Sequence, residues 1–321
     1  MPKGVLNSAI ALACFLSWPI AFTTSAAGAE GWPRTIAHAA GTTTLATKPT
    51  QIVSTSPSLT GILLAIDAPL VASAATTRSS ITDDRGFFSQ WADVARERKV
   101  EVLYSNLSFD IEAIIGSAPD LVIGSSTGAD SILQYAPQLT VQNLPVVIVD
   151  YSNRSWQEVA RELGKTTGLE DKAEAAIKSF DQYIAKVAGT IPPQKGTATI
   201  IGYNLAGSYS ISKPQSAQAQ LLTSLGITVI GLPDSMRSKV LRSSDFDFIS
   251  HENLSAAATA DTLYLLNATE NEVGTFIRDP SLANLPAVKA KRVFALGKSS
   301  FRIDYYSGRE MADLVAAQLK Q

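Results

Sequence analysis

The chain has 321 residues, of which 45% are hydrophobic and 17% are charged. This balance is typical of a globular protein and excludes a disordered one. With 27 Lys and Arg against 29 Asp and Glu, the net charge is close to zero, so neither a nucleic acid nor a membrane surface is indicated as a partner.

The first 29 residues predict a cleaved secretory signal. Lys3 is followed by an apolar run and then by small residues up to Ala29, after which cleavage is expected. A membrane anchor is the weaker interpretation, because the run is short and contains Ser17 and Pro19. The only cysteine, Cys14, lies inside this segment, so the mature chain would have no disulfide and would depend on its core for stability.

The region 51–151 alternates between strand-like and helix-like segments. Apolar runs predict strands at 51–56, 69–74, 119–126 and 145–151. Apolar residues at three- and four-residue spacings predict helices at 58–68, 110–118 and 128–139. Continuous apolar strands separated by helices favour a mostly parallel sheet that is covered on both faces.

An extended helical stretch follows, with Ser155 as the predicted cap of its first helix. Its second helix has an apolar stripe from Ala173 to Val187 and ends at Gly189. About nineteen residues at 1.5 Å each give roughly 28 Å, which is long enough to join two lobes.

Strands and helices then resume, with strands predicted at 198–205, 227–232, 261–268 and 292–297, and helices at 216–226 and 307–321. The sequence therefore predicts an α/β fold with two Rossmann-like lobes, 30–168 and 194–321, joined by a single long helix at 169–193.

Direct metal binding and nucleotide binding are both disfavoured. Outside the predicted signal the chain has two histidines, His38 and His251, and no cysteine, whereas zinc and copper sites recruit several such ligands at short spacing. Carboxylate and tyrosine ligands remain open as alternatives. Neither phosphate-binding glycine motif is present after the first strand.

One segment has the pattern of an enzyme. The run "GSSTG" at 124–128 fits G-x-S-x-G with Ser126 at its centre, between a predicted strand and a predicted helix. Two features count against a hydrolase: the later His251 has Asp245 and Asp247 very close to it in sequence, and no glycine-rich oxyanion loop precedes the motif. A turn of small residues at the end of a strand is the favoured interpretation, with a secreted serine hydrolase as the alternative.

Three arginines follow or flank predicted strands: Arg78 in "AATTRSS", Arg242 in "VLRSSDFDF" and Arg302 in "SFRIDYYS". In open α/β sheets, ligands bind beside the carboxyl ends of strands. Together with Tyr209 and Tyr305, these arginines suggest a pocket for a planar, oxygen-rich anion, because guanidinium groups stay charged, donate two hydrogen bonds at once and stack on aromatic rings. Each could instead be a surface arginine, and Asp304 could simply pair with Arg302.

Several long runs resemble the periplasmic ferric-enterobactin-binding proteins of Gram-negative bacteria, a group within the siderophore-binding proteins of ABC importers. They occur in the same order from about Trp32 to the end of the chain. The runs are "WPRTIAHAAGTTTLATKPTQIVSTSPSLTGILLAIDAP", "GFFSQWADVARERKVEVLY", "APDLVIGSSTGADS", "KPQSAQAQLLTSLG", "LANLPAVKAKRVFALG" and "SFRIDYYS".

This resemblance implies two α/β lobes joined by a rigid helix, with the ligand held between them and no enzymatic activity. It implies a protein without a cofactor, expected to be a monomer in the periplasm, that carries a ferric catecholate siderophore to an inner-membrane ABC permease. Because the siderophore already wraps the iron, the protein would need no metal ligands of its own. Several arginines would meet the negative oxygen face of the ligand through charge-assisted hydrogen bonds.

The resemblance also assigns residues. Arg302 matches the binding arginine of the family's "FR-x-DYYS" segment, Arg242 falls within one position of a basic residue, and Arg78 lies in a matching loop that is one residue shorter here. Where the family has a tryptophan before a proline, this chain has Ser212, so Tyr209 would supply a ring and Lys213 a cation. This departure leaves another siderophore, haem or a cobalamin-like molecule as alternative ligands.

Two further sets of residues are expected from the same resemblance. Ser126 and Thr127 would line the rim of the first lobe as hydrogen-bond donors. Docking to the permease would use an acid on each lobe, with Asp130 as the candidate on the first lobe and Glu270 or Glu272 on the second. Solvated acids at helix starts are an equally good interpretation of all three.

Overall fold

The computed structural model describes residues 31–320, which form two α/β lobes around one central sheet each. The predicted signal segment lies outside these residues. The two-lobed α/β fold class is as predicted. None of the helices within residues 31–320 combines the length and the apolar character that crossing a membrane requires.

The first lobe opens with a hairpin of β1 (Arg34–His38) and β2 (Gly41–Leu45) and continues with a five-stranded parallel sheet in the order β5-β4-β3-β6-β7. The strands are β3 (Ile52–Ser54), β4 (Leu70–Ser73), β5 (Glu101–Val102), β6 (Leu121–Ser125) and β7 (Val146–Val149). The helices are α1 (Pro57–Ala65), α2 (Ser89–Glu97), α3 (Ile111–Gly116), α4 (Ala136–Val141) and α5 (Trp156–Thr167). The helix predicted at 128–139 is found only as a 3-10 turn, Leu133–Tyr135, followed by α4.

The second lobe has a six-stranded mixed sheet in the order β10-β11-β9-β8-β12-β13. Its strands are β8 (Ala198–Leu205), β9 (Ser208–Ser212), β10 (Arg242–Ser243), β11 (Phe246–Ile249), β12 (Thr262–Leu265) and β13 (Val293–Ala295). Only β8, β12 and β13 run parallel, because β9 returns from β8 as a hairpin and β11 and β10 extend it antiparallel. The prediction of a strand at 227–232 is wrong, since this segment makes only a single bridge, from Val229 to Ala198.

The helix α6 (Glu170–Ala188) connects the two sheets, and it has the nineteen residues that its apolar stripe predicted. Its buried face consists of Ala173, Ala176, Ile177, Phe180, Ile184 and Val187. The preceding α5 begins at a capping box in which Ser155 accepts from the Glu158 amide, and it ends at Gly168, whose φ of 69° is left-handed.

The remaining helices of the second lobe are α7 (Ala217–Ser224), α8 (His251–Ala257), α9 (Glu270–Ile277), α10 (Pro286–Lys289) and α11 (Tyr305–Leu319). Of these, α11 matters most for the arrangement of the lobes, because it packs against α1 and α2 of the first lobe as well as α6 and α7. One hydrophobic core therefore runs through both lobes, with Leu59 and Trp91 from the first and Met311 and Val315 from the second.

Candidate functional site

The carboxyl ends of the parallel strands of the first lobe meet at one edge of its sheet. The loop with Arg78 follows β4, Ser126 and Thr127 follow β6, and Tyr151 follows β7. Arg78 is exposed, whereas Ser126, Thr127 and Tyr151 are half-buried. The first lobe thus offers one cation, several hydroxyl groups and one phenol at this edge.

Arg302 meets this edge from the second lobe. It follows a 3-10 turn, Lys298–Phe301, and its guanidinium carbon lies 4.2 Å from the ring centroid of Tyr151. Just before it, the ring of Phe301 meets that of Phe88 edge-on at 5.0 Å. The cation predicted at the end of the last strand therefore lies at the junction of the two lobes, stacked on an aromatic ring.

Tyr151 is held in place from behind by Asp130. Its hydroxyl donates to Asp130 Oδ1 at 2.6 Å, and the other carboxylate oxygen accepts from Ser56 Oγ and, at 3.3 Å, from the Ser58 amide. Burial and the neighbouring Asp130 charge together raise the pKa of Tyr151 to about 12. The phenol therefore stays protonated and remains a hydrogen-bond donor at neutral pH.

Asp304 does not pair with Arg302, although the two are close in sequence. Its carboxylate is 2% exposed and caps the start of α11 by accepting from the amides of Tyr306 and Ser307. The Gln90 side-chain amide of the first lobe also donates to it, at 3.5 Å. Burial raises the pKa of Asp304, an effect that these hydrogen bonds oppose.

The three predicted arginines make no ion pair with any residue in the range 31–320. Arg242 instead lies over the ring of Phe248, with its guanidinium carbon 3.9 Å from the centroid. Seven other arginines do make ion pairs: Arg34, Arg85, Arg96, Arg98, Arg154, Arg161 and Arg237. Arg78, Arg242 and Arg302 therefore keep their charge uncompensated, as anion binding requires.

Tyr209 belongs to an aromatic cluster at the start of β9. Its ring lies 5.6 Å from that of Tyr203 and 4.9 Å from that of His251. Both neighbours are fixed by Asp279, whose carboxylate lies 2.7 Å from His251 Nε2 and accepts from the Tyr203 hydroxyl at 2.9 Å. Lys213 follows the other end of β9, where its ammonium group is 3.7 Å from Asp247 Oδ1. A predicted cation is thus partly neutralised, and Tyr209 keeps a partly exposed ring.

Tyr305 takes part in packing on the other side of Asp304. Its ring meets Trp156 at 5.9 Å and Phe180 at 6.3 Å, and its hydroxyl accepts from Arg309 at 2.7 Å. These contacts fix α11 against α5 and α6. This placement does not suit the predicted role in ligand binding, and the ring beside Arg302 is supplied by Tyr151 instead.

The geometry around Ser126 does not form a hydrolase site. His38 is bonded to Thr43 and His251 to Asp279, and in the described part of the chain neither histidine is hydrogen-bonded to the Ser126 hydroxyl. The backbone amides of the motif are also occupied, since that of Ser126 donates to the Val149 carbonyl and that of Thr127 to Ser125 Oγ. A serine nucleophile needs a base within hydrogen-bond reach and free amides for the oxyanion. The hydroxyl groups of Ser126 and Thr127 remain as possible donors towards a ligand.

The three acids predicted to dock on a permease differ in exposure. Asp130 is 7% exposed and fully engaged, which does not suit a contact with another protein. Glu272 closes the capping box of α9 with Thr269 and lies 2.9 Å from the Lys298 ammonium group. Glu270, the first residue of α9, is exposed, so it is the one of the three that suits a docking contact.

The contact between Tyr151 and Arg302 has little signal in the sequence. Tyr151 ends an apolar run that predicts a strand, and nothing local marks its ring as functional. Its position directly after a strand of the parallel sheet is the one signal that indicates a role in binding. Arg78 and Arg302 are predicted from the same kind of position.

Comparisons with known proteins identify the family of the chain. Residues 52–299 match the family model described as "Periplasmic binding protein". The ferric enterobactin-binding periplasmic protein FepB of Escherichia coli O6:H1 (strain CFT073) is 41% identical over 298 residues, which cover 91% of this chain and 93% of FepB. Since the family model covers most of the chain, the protein belongs to the periplasmic binding protein family.

Two solved structures are also similar to this chain. The crystal structure of holo-ViuP is 38% identical, with a TM-score of 0.78, and the match covers 90% of this chain and 99% of ViuP. The structure of Staphylococcus aureus SirA complexed with staphyloferrin B is 18% identical, with a TM-score of 0.66, and covers 89% of this chain and 98% of SirA, so it shows the shared fold alone.

Proposed function

We propose that this protein binds a ferric siderophore of the catecholate type in the periplasm and delivers it to an inner-membrane ABC permease. The high identity to a ferric enterobactin-binding protein over nearly the whole chain supports this ligand class. The single observation that carries the proposal is Arg302, which makes no ion pair within residues 31–320 and is stacked on Tyr151 where the two lobes meet.

The chemistry of this site suits an anionic, pre-chelated ligand. Catecholate oxygens around ferric iron carry negative charge, which guanidinium groups meet with charge-assisted hydrogen bonds. The rings of Tyr151 and Phe248 offer flat surfaces beside Arg302 and Arg242, respectively. Tyr209 offers a third ring, beside His251 in the second lobe. Within residues 31–320, no group of three or more His, Cys, Asp or Glu side chains is placed to hold a metal ion.

Titration of tryptophan fluorescence with ferric enterobactin tests this function. The wild-type protein should be quenched with an affinity of about 1 µM or tighter. Arg302→Ala should weaken binding by about 10- to 100-fold, because the ligand loses the charge-assisted hydrogen bonds that the guanidinium group donates. Arg161→Ala is the matched control, since Arg161 is an exposed arginine already paired with Glu174. Wild-type affinity in Arg302→Ala would show that the site is wrongly placed.

A panel of iron complexes that differ in charge tests the ligand class separately. If the uncompensated arginines decide the affinity, a neutral ferric hydroxamate should bind much more weakly than a ferric catecholate. The difference should shrink as salt is raised, because mobile ions screen exposed charges. Equal affinity for both complexes at low salt would contradict a site selective for catecholate charge.

A further inference from the structure

We propose that Asp130, seated against Gly128, is a positioning residue that fixes the Tyr151 ring and, through it, the Arg302 guanidinium of the opposite lobe. The inference rests on the proposed function only in that Arg302 is taken to contact the ligand. The placement of Arg302 itself can be measured without any ligand.

Asp130 has the environment of a structural anchor. Its carboxylate is buried and has no ion-pair partner among residues 31–320, so hydrogen bonds must compensate for its lost hydration. It has three such donors, and two of them come from the start of α1, namely the hydroxyl of its cap Ser56 and the amide of Ser58. The positive end of α1 adds a favourable field. The third donor is the Tyr151 hydroxyl, so the carboxylate ties that ring to the rigid end of a helix.

Gly128 explains how the Tyr151 hydroxyl comes so close to Asp130. Its φ of +79° is left-handed, and a Cβ placed there would lie 2.0 Å from the Tyr151 hydroxyl and 2.8 Å from Asp130 Oδ1. At the other end of the motif, a Cβ on Gly124 would lie 2.4 Å from Ile132 Cδ1. The two glycines of "GSSTG" therefore allow close packing, and the second makes room for the contact between Asp130 and Tyr151.

The contact affects Arg302 in two ways. A phenol that donates to a carboxylate keeps its ring in one orientation, which presents a fixed face to the guanidinium 4.2 Å away. The carboxylate also makes the ring richer in electrons, which strengthens its attraction for a cation. Because Tyr151 and Arg302 belong to different lobes, the first lobe thereby sets the position of a cation carried by the second.

The first test measures the geometry without ligand. In NMR spectra, the side-chain NεH signal of Arg302, assigned by its loss in Arg302→Ala, should show a ring-current shift in the wild-type protein. Tyr151→Leu should abolish the shift, and Asp130→Asn and Tyr151→Phe should reduce it while the melting temperature confirms folding. Asp93→Asn, an exposed aspartate on α2, is the control. An unchanged shift in both Asp130→Asn and Tyr151→Phe would overturn the proposal.

The second test asks whether Asp130 acts on binding through Arg302. With ferric enterobactin as the probe, Asp130→Asn should weaken binding by about 3- to 30-fold, the range of a cation–π contact. In an Arg302→Ala background, the same substitution should have almost no further effect. An equal loss in both backgrounds would show that Asp130 has only a general structural role. Failure of the wild-type protein to bind would count against the proposed function, while the NMR shift would still decide the positioning role.

Discussion

At the residue scale, two aspartates of the second lobe show how surroundings decide what a carboxylate does. Asp304 is fully buried, and burial raises its pKa. Asp279 also loses some hydration, but hydrogen bonds from Ser281, His251 and Tyr203 outweigh this loss and lower its pKa. The first carboxylate caps α11 and the second fixes the rings beside Tyr209. Neither carboxylate forms an ion pair with an arginine in the described part of the chain, and the engagement of Asp304 leaves the nearby Arg302 available to an anion.

Glu272 provides a pH-dependent prediction at this scale. Hydrogen bonds from Lys298 and Thr269 lower its pKa from the ordinary 4.5 to about 2. A lowered carboxyl pKa stabilises the folded protein above pH 4.5, and this contribution is lost as the pH falls from 4.5 towards 2. Glu272→Gln should therefore reduce the free energy of unfolding at pH 7.

Urea titrations of the wild-type protein and Glu272→Gln at several pH values measure this effect. The difference in the free energy of unfolding between the two proteins should narrow as the pH is lowered from 5 towards 3. Over this range the wild-type protein loses the stabilisation that comes from the lowered pKa of Glu272. Glu97→Gln, at an exposed position at the end of α2, serves as the control. A difference that stays constant across this pH range would contradict the assignment.

At the element scale, the helices and strands whose patterns are local could be predicted, and those defined by distant partners could not. The apolar stripe of α6 and the apolar run of β8 fix these elements by themselves. The segment 227–232 is equally apolar, but β9 pairs with β8 from Ile201 onward and leaves it only the bridge at Val229. The mixed half of the second sheet depends on short strands, such as the two-residue β10, whose pairing no local pattern reveals.

The residues of the candidate site divide in the same way, because those with a local signal could be predicted and those defined by distant contacts could not. Arg302 could be found because a cation after the last strand is a local signal, and among residues 31–320 it has no acidic partner, as anion binding requires. Tyr151 and Asp130 could not be assigned their parts, because their contact depends on two loops brought together by β6 and β7. The position of Tyr305 in the chain predicts a ring beside the ligand, but the start of α11 turns this ring towards α6.

The packing of α1 gives a prediction for an element. A Cβ on Gly61 would lie 2.7 Å from Trp91 Cδ1 and 2.8 Å from Asp304 Oδ2, so α1 can approach α2 and α11 only with glycine there. Gly61→Ala should lower the free energy of unfolding by about 1–3 kcal/mol, as overpacked cores do.

Gly116→Ala is the matched control, because this helical glycine has no atom within 4 Å of an added Cβ. It should be neutral or stabilising by up to about 1 kcal/mol, since alanine favours helix. Chemical denaturation of both variants provides the comparison. If Gly61→Ala were as stable as Gly116→Ala, the close contact between the lobes at α1 would be looser than described.

At the scale of the whole molecule, the two lobes share one hydrophobic cluster, and each lobe also has a smaller cluster of its own. Residues of α11 lie in the same buried cluster as Leu59 and Trp91 of the first lobe, and Phe88 meets Phe301 across the junction. The connecting helix is therefore not the only link between the lobes. Unfolding of either lobe would expose apolar surface of the other.

This shared core predicts a single unfolding transition. Far-UV circular dichroism and tryptophan fluorescence should give coincident denaturation curves, as expected when no intermediate is populated. Phe301→Ala should shift both curves to lower denaturant by the same amount, because it removes a contact that belongs to both lobes. Two separated transitions, with only one of them moved by the substitution, would show that the lobes unfold independently.

The position of α11 in the chain has a consequence for synthesis. Chains emerge from the ribosome amino end first, and early segments begin to fold before later ones exist. Here α1 and α2 are made early, whereas the helix that covers them is made after both sheets. Until α11 arrives, the first lobe therefore keeps an uncovered apolar face that has to be shielded from aggregation, whether the chain folds during synthesis or, as its predicted signal implies, after export.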